Sequence, residues 1–176
     1  PWQLFAGEAR AVVGLARWPD AQPWSEESFD REGRWRHVGA GTDHDTAGAG
    51  VIFADPYAGD TSDPLAGSGR SFAGCVGVIN AGHWTTMAAV VDAHDAGSAN
   101  FSFNNPQCGL GCPGTAYNDD GKGRFYLEGC PAALTSDNEW SYSLDKRHLH
   151  VRLPGGADPA STPLHGKAAT WALVLH

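Results

Sequence analysis

Carboxylates are the first residues whose type and spacing suggest chemistry. The densest are Asp119-Asp120, in YNDDGKG, and Asp43-x-Asp45, in GTDHDTAG. An Asn/Asp-rich turn ending in glycine can hold calcium through carboxylates and carbonyls. Calcium at Asp119 and Asp120 is therefore one expectation, although Glu128 does not fall in the EF-hand register. The same Asp-Gly before a strand is also a hairpin turn signal. Glycoside hydrolysis needs two carboxyl groups across one cleft. Asp92, Asp95, Glu128 and Glu139 qualify by type, but no spacing pairs them. His148 and His150 share one face of a strand, a spacing that two metal ligands could use, with no third ligand signalled. His94-Asp95 lacks a serine in a nucleophile elbow, so a catalytic triad is unsupported.

Four cysteines are present: Cys75, Cys108, Cys112 and Cys130. An even count in a Gly/Pro-rich chain suits two disulfides formed in an oxidising compartment. The rival is zinc, with Cys108-x-x-x-Cys112 completed by His94 or Cys130. The expected pairing is Cys108–Cys112 with Cys75–Cys130, because Cys75 begins one strand and Cys130 ends another. Crossed pairing is the alternative. Asn100-Phe101-Ser102 is an N-glycosylation sequon. Its alternation with Phe101 and Phe103 puts the sequon on the face opposite the phenyl rings.

Seven tryptophans are spread through the chain. Most are expected in the core, because large aromatics build small β cores. Trp24 and Trp35 lie in polar, loop-like surroundings and are the candidates for carbohydrate contact. Arg17-Trp18-Pro19 is either a sugar platform or a corner of the fold. Proline removes a ladder donor, so the strand ends at Trp18 or lies on an edge there. The Arg17 guanidinium can lie against the Glu139 carboxylate or on an aromatic ring.

The elements that must position these residues are short. The chain has 176 residues, 41% apolar and 18% charged, with 23 Gly and 11 Pro. That composition fits one domain, residues 1–176, built from strands and turns rather than long helices. The formal charge of −8 argues against nucleic acid and anionic membrane as partners. No apolar run approaches the ~20 residues that cross a bilayer. PWQLFAGEAR has no basic start and no apolar core of a signal peptide, which suggests a mature or excised piece. About nine strands are expected from β-branched or alternating runs bounded by Gly, Asp, Pro and Asn. They are EARAVVGLARW, where Val12-Val13 and Gly14 favour strand over a turn of helix, then GVIFADP, CVGVIN, MAAVVDAH, ANFSFNN, RFYLEG, EWSYSLD, HLHVRLP and ATWALVLH. Their spacing predicts an all-β fold, a single β-sandwich or barrel-like domain. Two long loops, 32–50 and 104–123, are expected to be functional or stapled by disulfide.

Several stretches together carry a family likeness. They are LARWPD, LAGSGRSFAGCVGVINAGHWTTMAAVVDAHDAGSANFSF, RFYLEGCPAAL, NEWSYSLDKRHLHVRLPGGADP and LHGKAATWAL. Their order resembles the strand-rich domain inserted in right-handed parallel β-helix proteins, relatives in architecture of polysaccharide lyases and β-helix glycosidases. The pattern there is Ala-Arg-Trp-Pro-Asn, then Tyr-Leu-x-Gly, then Gly-Glu-Trp-Tyr-Tyr-Asp and Leu-Tyr-Leu-Trp-Pro. Here Asp20 replaces the asparagine, and the four cysteines are additions. The resemblance implies that Arg17-Trp18-Pro19 is a fold corner, since the motif recurs irrespective of substrate. It also implies that catalytic groups lie on β-helix coils beginning after ATWALVLH, so no hydrolase or lyase activity is expected of residues 1–176. Two functions follow as expectations. One is a non-catalytic, glycosylated structural or assembly domain at the cell surface or outside the cell, pairing with copies of itself or with a β-helix. The other is an accessory domain of a polysaccharide-active enzyme that binds a glycan.

Overall fold

The computed structural model describes residues 3–22, 25–37, 43–44, 49–53, 65–80, 86–104 and 123–167, with backbone alone at 43–44, 49–53 and 104. These residues form thirteen strands and a few 3₁₀ turns, in two sheets. The all-β expectation holds. The smaller sheet has the order β12-β11-β2-β1-β13, comprising Leu149–Arg152, Glu139–Tyr142, Ala11–Leu15, Leu4–Ala6 and Leu164–Gly166. The larger runs β3-β10-β7-β8-β9-β6-β5. Its strands are Arg17–Trp18, Arg124–Glu128, Val76–Asn80, Thr86–Ala93, Asn100–Asn104, Ala49–Phe53 and Asp43–His44. A further short strand, β4 (Arg36–His37), pairs with β10. Pairing is antiparallel except between β11 and β2.

Residues 32–50 are not one structureless loop. β4, β5 and the start of β6 fall within them and join the larger sheet. Two-residue strands carry too little periodicity to stand out in a sequence rich in Gly and Asp. ATWALVLH, apart from its surroundings up to Lys167, lies outside the described residues, as do Cys108, Cys112, Trp24, Asp119 and Asp120.

The period-two pattern of β9 and β10 builds the main core. Phe101 and Phe103 are buried, and Asn100 between them and solvent is exposed, as the alternation predicts. Phe125 and Leu127 point to the same interior and meet Phe101, Ile79 and Trp18. Trp18 packs against Phe72 with ring centroids 5.1 Å apart. A second, smaller cluster joins Leu4, Val13, Trp140 and Leu153 across the smaller sheet. Trp18 and Trp140 are thus core residues, as expected for most of the tryptophans.

Cys75 and Cys130 form a disulfide, with Cα atoms 4.8 Å apart. It ties the start of β7 to the end of β10, whose next residues pair as Val76 and Glu128. Gly129, at φ +76°, turns the chain so that Cys130 enters the core, and its N–H donates to the Ala16 carbonyl. A side chain there would strain a left-handed backbone.

The run Leu15-Ala16-Arg17-Trp18 is where the chain changes sheets. β2 belongs to the smaller sheet and β3 to the larger, with the fully buried Ala16 between them. Ala16 N–H donates to Trp140 O (2.7 Å) on one side, and Ala16 O accepts from Gly129 on the other. The Arg-Trp-Pro stretch is a corner, as the resemblance implied.

Candidate functional site

Strand β10 sorts its side chains by alternation. Phe125 and Leu127 enter the core, so Arg124, Tyr126 and Glu128 occupy the opposite face. The cross-strand register places Arg17 beside Glu128 on that second face, and Trp18 beside Leu127 on the core face. β3 and β4 share one edge of β10: Arg17 and Trp18 pair with its end, Arg36 and His37 with its start. The chain therefore leaves this edge at Trp18 and returns to it at Arg36.

The excursion between them is tied down mainly by Arg17. Its Nη2 donates to the Arg34 carbonyl (2.7 Å) and its Nη1 makes a longer contact with the Ser28 carbonyl (3.4 Å). The guanidinium lies over the Tyr126 ring, 3.9 Å from its centroid, so the cation–π option for Arg17 is the one adopted. Glu139 instead accepts the backbone N–H of Arg17. Trp35 Nε1 also donates to Ser28 O, and its indole meets Tyr126 edge-on with centroids 4.6 Å apart. Outlying anchors are the Arg124–Glu32 ion pair and Arg31 donating to Asn80 Oδ1.

Between this excursion and the smaller sheet lies a groove of about 570 Å³. Arg17, Tyr126 and Glu128 come from the larger sheet, Leu15 and Trp140 from the smaller, and Trp35 and Phe29 from the excursion. Phe29 is 82% exposed and Leu15 37%, two of the four large exposed apolar side chains among the described residues. An apolar concavity with a few converging polar groups is the usual form of a small-ligand site. Burial raises the Glu128 carboxyl above its ordinary value, with Arg17 opposing. Burial also raises the Tyr126 phenol, reinforced by Glu128, and lowers the Arg17 guanidinium, with Tyr126 and Glu128 opposing.

No protein-family model matches the chain, and no curated protein matches it. A solved structure described as a glycoside hydrolase superposes on 92% of the chain with a TM-score of 0.55 at 16% identity. This chain spans about a quarter of that protein, 26% of its length. The likeness is one of fold: the chain has a strand-rich fold that also occurs within a glycoside hydrolase. The described strands form two mostly antiparallel sheets and no parallel β-helix coil.

Of the site residues expected from sequence, Trp35 lines the groove and Arg17 and Glu128 join it there. Asp92, Asp95, His148 and His150 are exposed. No cluster of three metal-ligating side chains occurs among the described residues. The zinc alternative loses both residues that were to complete it. Cys130 is in the disulfide, and His94 is buried with Nδ1 accepting from Phe72 N–H and Nε2 facing Ser98 O at 3.1 Å. Phe29 has no signal in the sequence, and Tyr126 stands out there only as the start of the Tyr-Leu-x-Gly strand, not as a site residue. The alternation of RFYLE, with two apolar residues in the core, is the signal that finds Tyr126.

Glu139 is the other unusual carboxyl. It is 3% exposed and accepts backbone N–H groups from Arg17, Thr135 and Ser136. Thr135 and Ser136 hydroxyls donate to the adjacent Asp20 carboxylate. Burial pushes Glu139 up to about 7 from an ordinary 4.5; the Asp20 charge adds to this and the three N–H donors resist it. The folded protein thus binds a proton that the unfolded chain has released between these values, so stability falls as pH rises from about 4.5 to about 7. At about 1.4 kcal/mol per pH unit the loss is about 2–3 kcal/mol. Urea unfolding across this range should show the decline in the native protein, and Glu139→Gln should remove most of it. An equal slope in the two proteins would refute the assignment.

Proposed function

We propose that this chain is an extracellular carbohydrate-binding β-domain, serving as an accessory part of a polysaccharide-active protein. The observation that carries the reading is the groove, where Trp35, Tyr126 and Phe29 offer aromatic surface around the Arg17–Glu128 pair. Pyranose rings present apolar C–H faces edged by hydroxyls. They match a surface where aromatic rings adjoin a few fixed donors and acceptors. The fold shared with part of a glycoside hydrolase supports the same direction. The buried disulfide and the exposed sequon at Asn100 are compatible with secretion and glycosylation. The groove favours glycan binding over the assembly role that the sequence also suggested.

Affinity electrophoresis through gels containing soluble polysaccharides tests the proposal. The native protein should be retarded by at least one of them. Trp35→Ala should weaken that retardation at least about tenfold, equivalent to about 1.4 kcal/mol. Retardation unchanged by Trp35→Ala would place binding elsewhere.

A further inference from the structure

The polar groups of the groove indicate which class of glycan it takes, an inference that rests on the function proposed above. Arg17 is 8% exposed, and its Nε–H is buried with no hydrogen-bond partner among the described residues. An unpaired buried donor is costly, and Arg17 lines the groove, so a side-chain adjustment that exposes this donor to a sugar oxygen would gain a hydrogen bond. The carboxyl on the same face is Glu128, the register partner of Arg17. It is half-buried and can accept from a hydroxyl. Arg17 and Glu128, register neighbours that both line the groove, suit two neighbouring hydroxyls of one sugar, one accepting from Arg17 and the other donating to Glu128.

The charges are unsuited to a sugar carboxylate. Among the described residues that line the groove Arg17 is the cation, and Glu128 is its register neighbour. Glu26, exposed at the rim, adds a second negative group. A uronate placed here meets a cation that is already balanced, and two carboxylates that repel it. We infer that the groove selects uncharged sugars bearing adjacent hydroxyls and discriminates against uronates, with Glu128 as the discriminating residue.

The experiment pairs neutral gluco-, manno- and galacto-oligosaccharides with the forms of each oxidised to the carboxylate at C6. Binding is read by tryptophan fluorescence and calorimetry. The native protein should bind at least one neutral oligosaccharide about tenfold or more tighter than its oxidised counterpart. Glu128→Gln keeps the shape and removes the charge, and it should narrow the gap to about threefold or less. The native gap should persist in ~1 M salt, where the screening length is ~3 Å and the chain's overall charge is hidden. Equal or tighter binding of an oxidised form overturns this inference while leaving glycan binding intact. So does a gap that survives Glu128→Gln or vanishes in salt. Binding of neither form to the native protein overturns the proposed function with it.

Discussion

Replacing Cys75 and Cys130 together by alanine is expected to destabilise the protein by about 4 kcal/mol. The bond closes a loop with a sequence separation of 55. Loop-closure entropy for a ring of that length gives about 4 kcal/mol, contributed mostly through the unfolded chain. The folded state supplies little else to offset the loss. Both residues are almost fully buried, within a core that also holds Ala16, Phe72 and Leu127. The two strands they join stay paired over Val76–Asn80 and Arg124–Glu128 without the bond. The folded double variant should therefore retain its β spectrum while its urea midpoint falls. A change in stability below about 1 kcal/mol would mean that the 55-residue segment is already constrained in the unfolded state.

Arg17→Ala should cost about 3–4 kcal/mol, the range for emptying a large, well-packed buried site. The side chain holds two carbonyls of the excursion between Trp18 and Arg36, and it covers the Tyr126 ring. Alanine leaves the Arg34 carbonyl without its 2.7 Å donor and opens space under Trp35. Lysine should recover only part of the loss. An ammonium cannot lie flat on the ring and reach two carbonyls at once. Thermal melts report the stability, and limited proteolysis reports the excursion: residues 19–35 should become the first cleavage site in Arg17→Ala. A melt within about 1 kcal/mol of native would show that the Arg124–Glu32 and Arg31–Asn80 contacts suffice to hold it.

Much of the fold is legible in the sequence because its strands are regular. The alternation in ANFSFNN puts Phe101 and Phe103 on one face, and both are buried; RFYLEG is legible as a strand, and its Phe125 and Leu127 are buried beside them. The Cys75–Cys130 bond follows from one cysteine opening a strand and the other closing its neighbour. The two-residue strands β3, β4 and β5 are not legible, since a dipeptide has no period. That omission hides the site. Only when β3 and β4 are seen to share one edge of β10 does the excursion carrying Phe29 and Trp35 fall over Tyr126 and Glu128. Trp35 stands out in the sequence by its polar surroundings, and it lines the groove half-buried. The sequence marks Arg17 as part of a corner, and the same corner places its guanidinium in the groove wall.

Chemical-shift mapping of the ¹⁵N-labelled protein, titrated with a glycan that retards it in gels, tests the groove most directly. The Trp35 indole N–H, which donates to Ser28 O, should move first, together with the amides of Ser28, Phe29, Tyr126 and Glu128. Shifts clustered instead around His148 and His150, or around Asn100, with the Trp35 indole unmoved at saturation, would contradict the groove as the binding site.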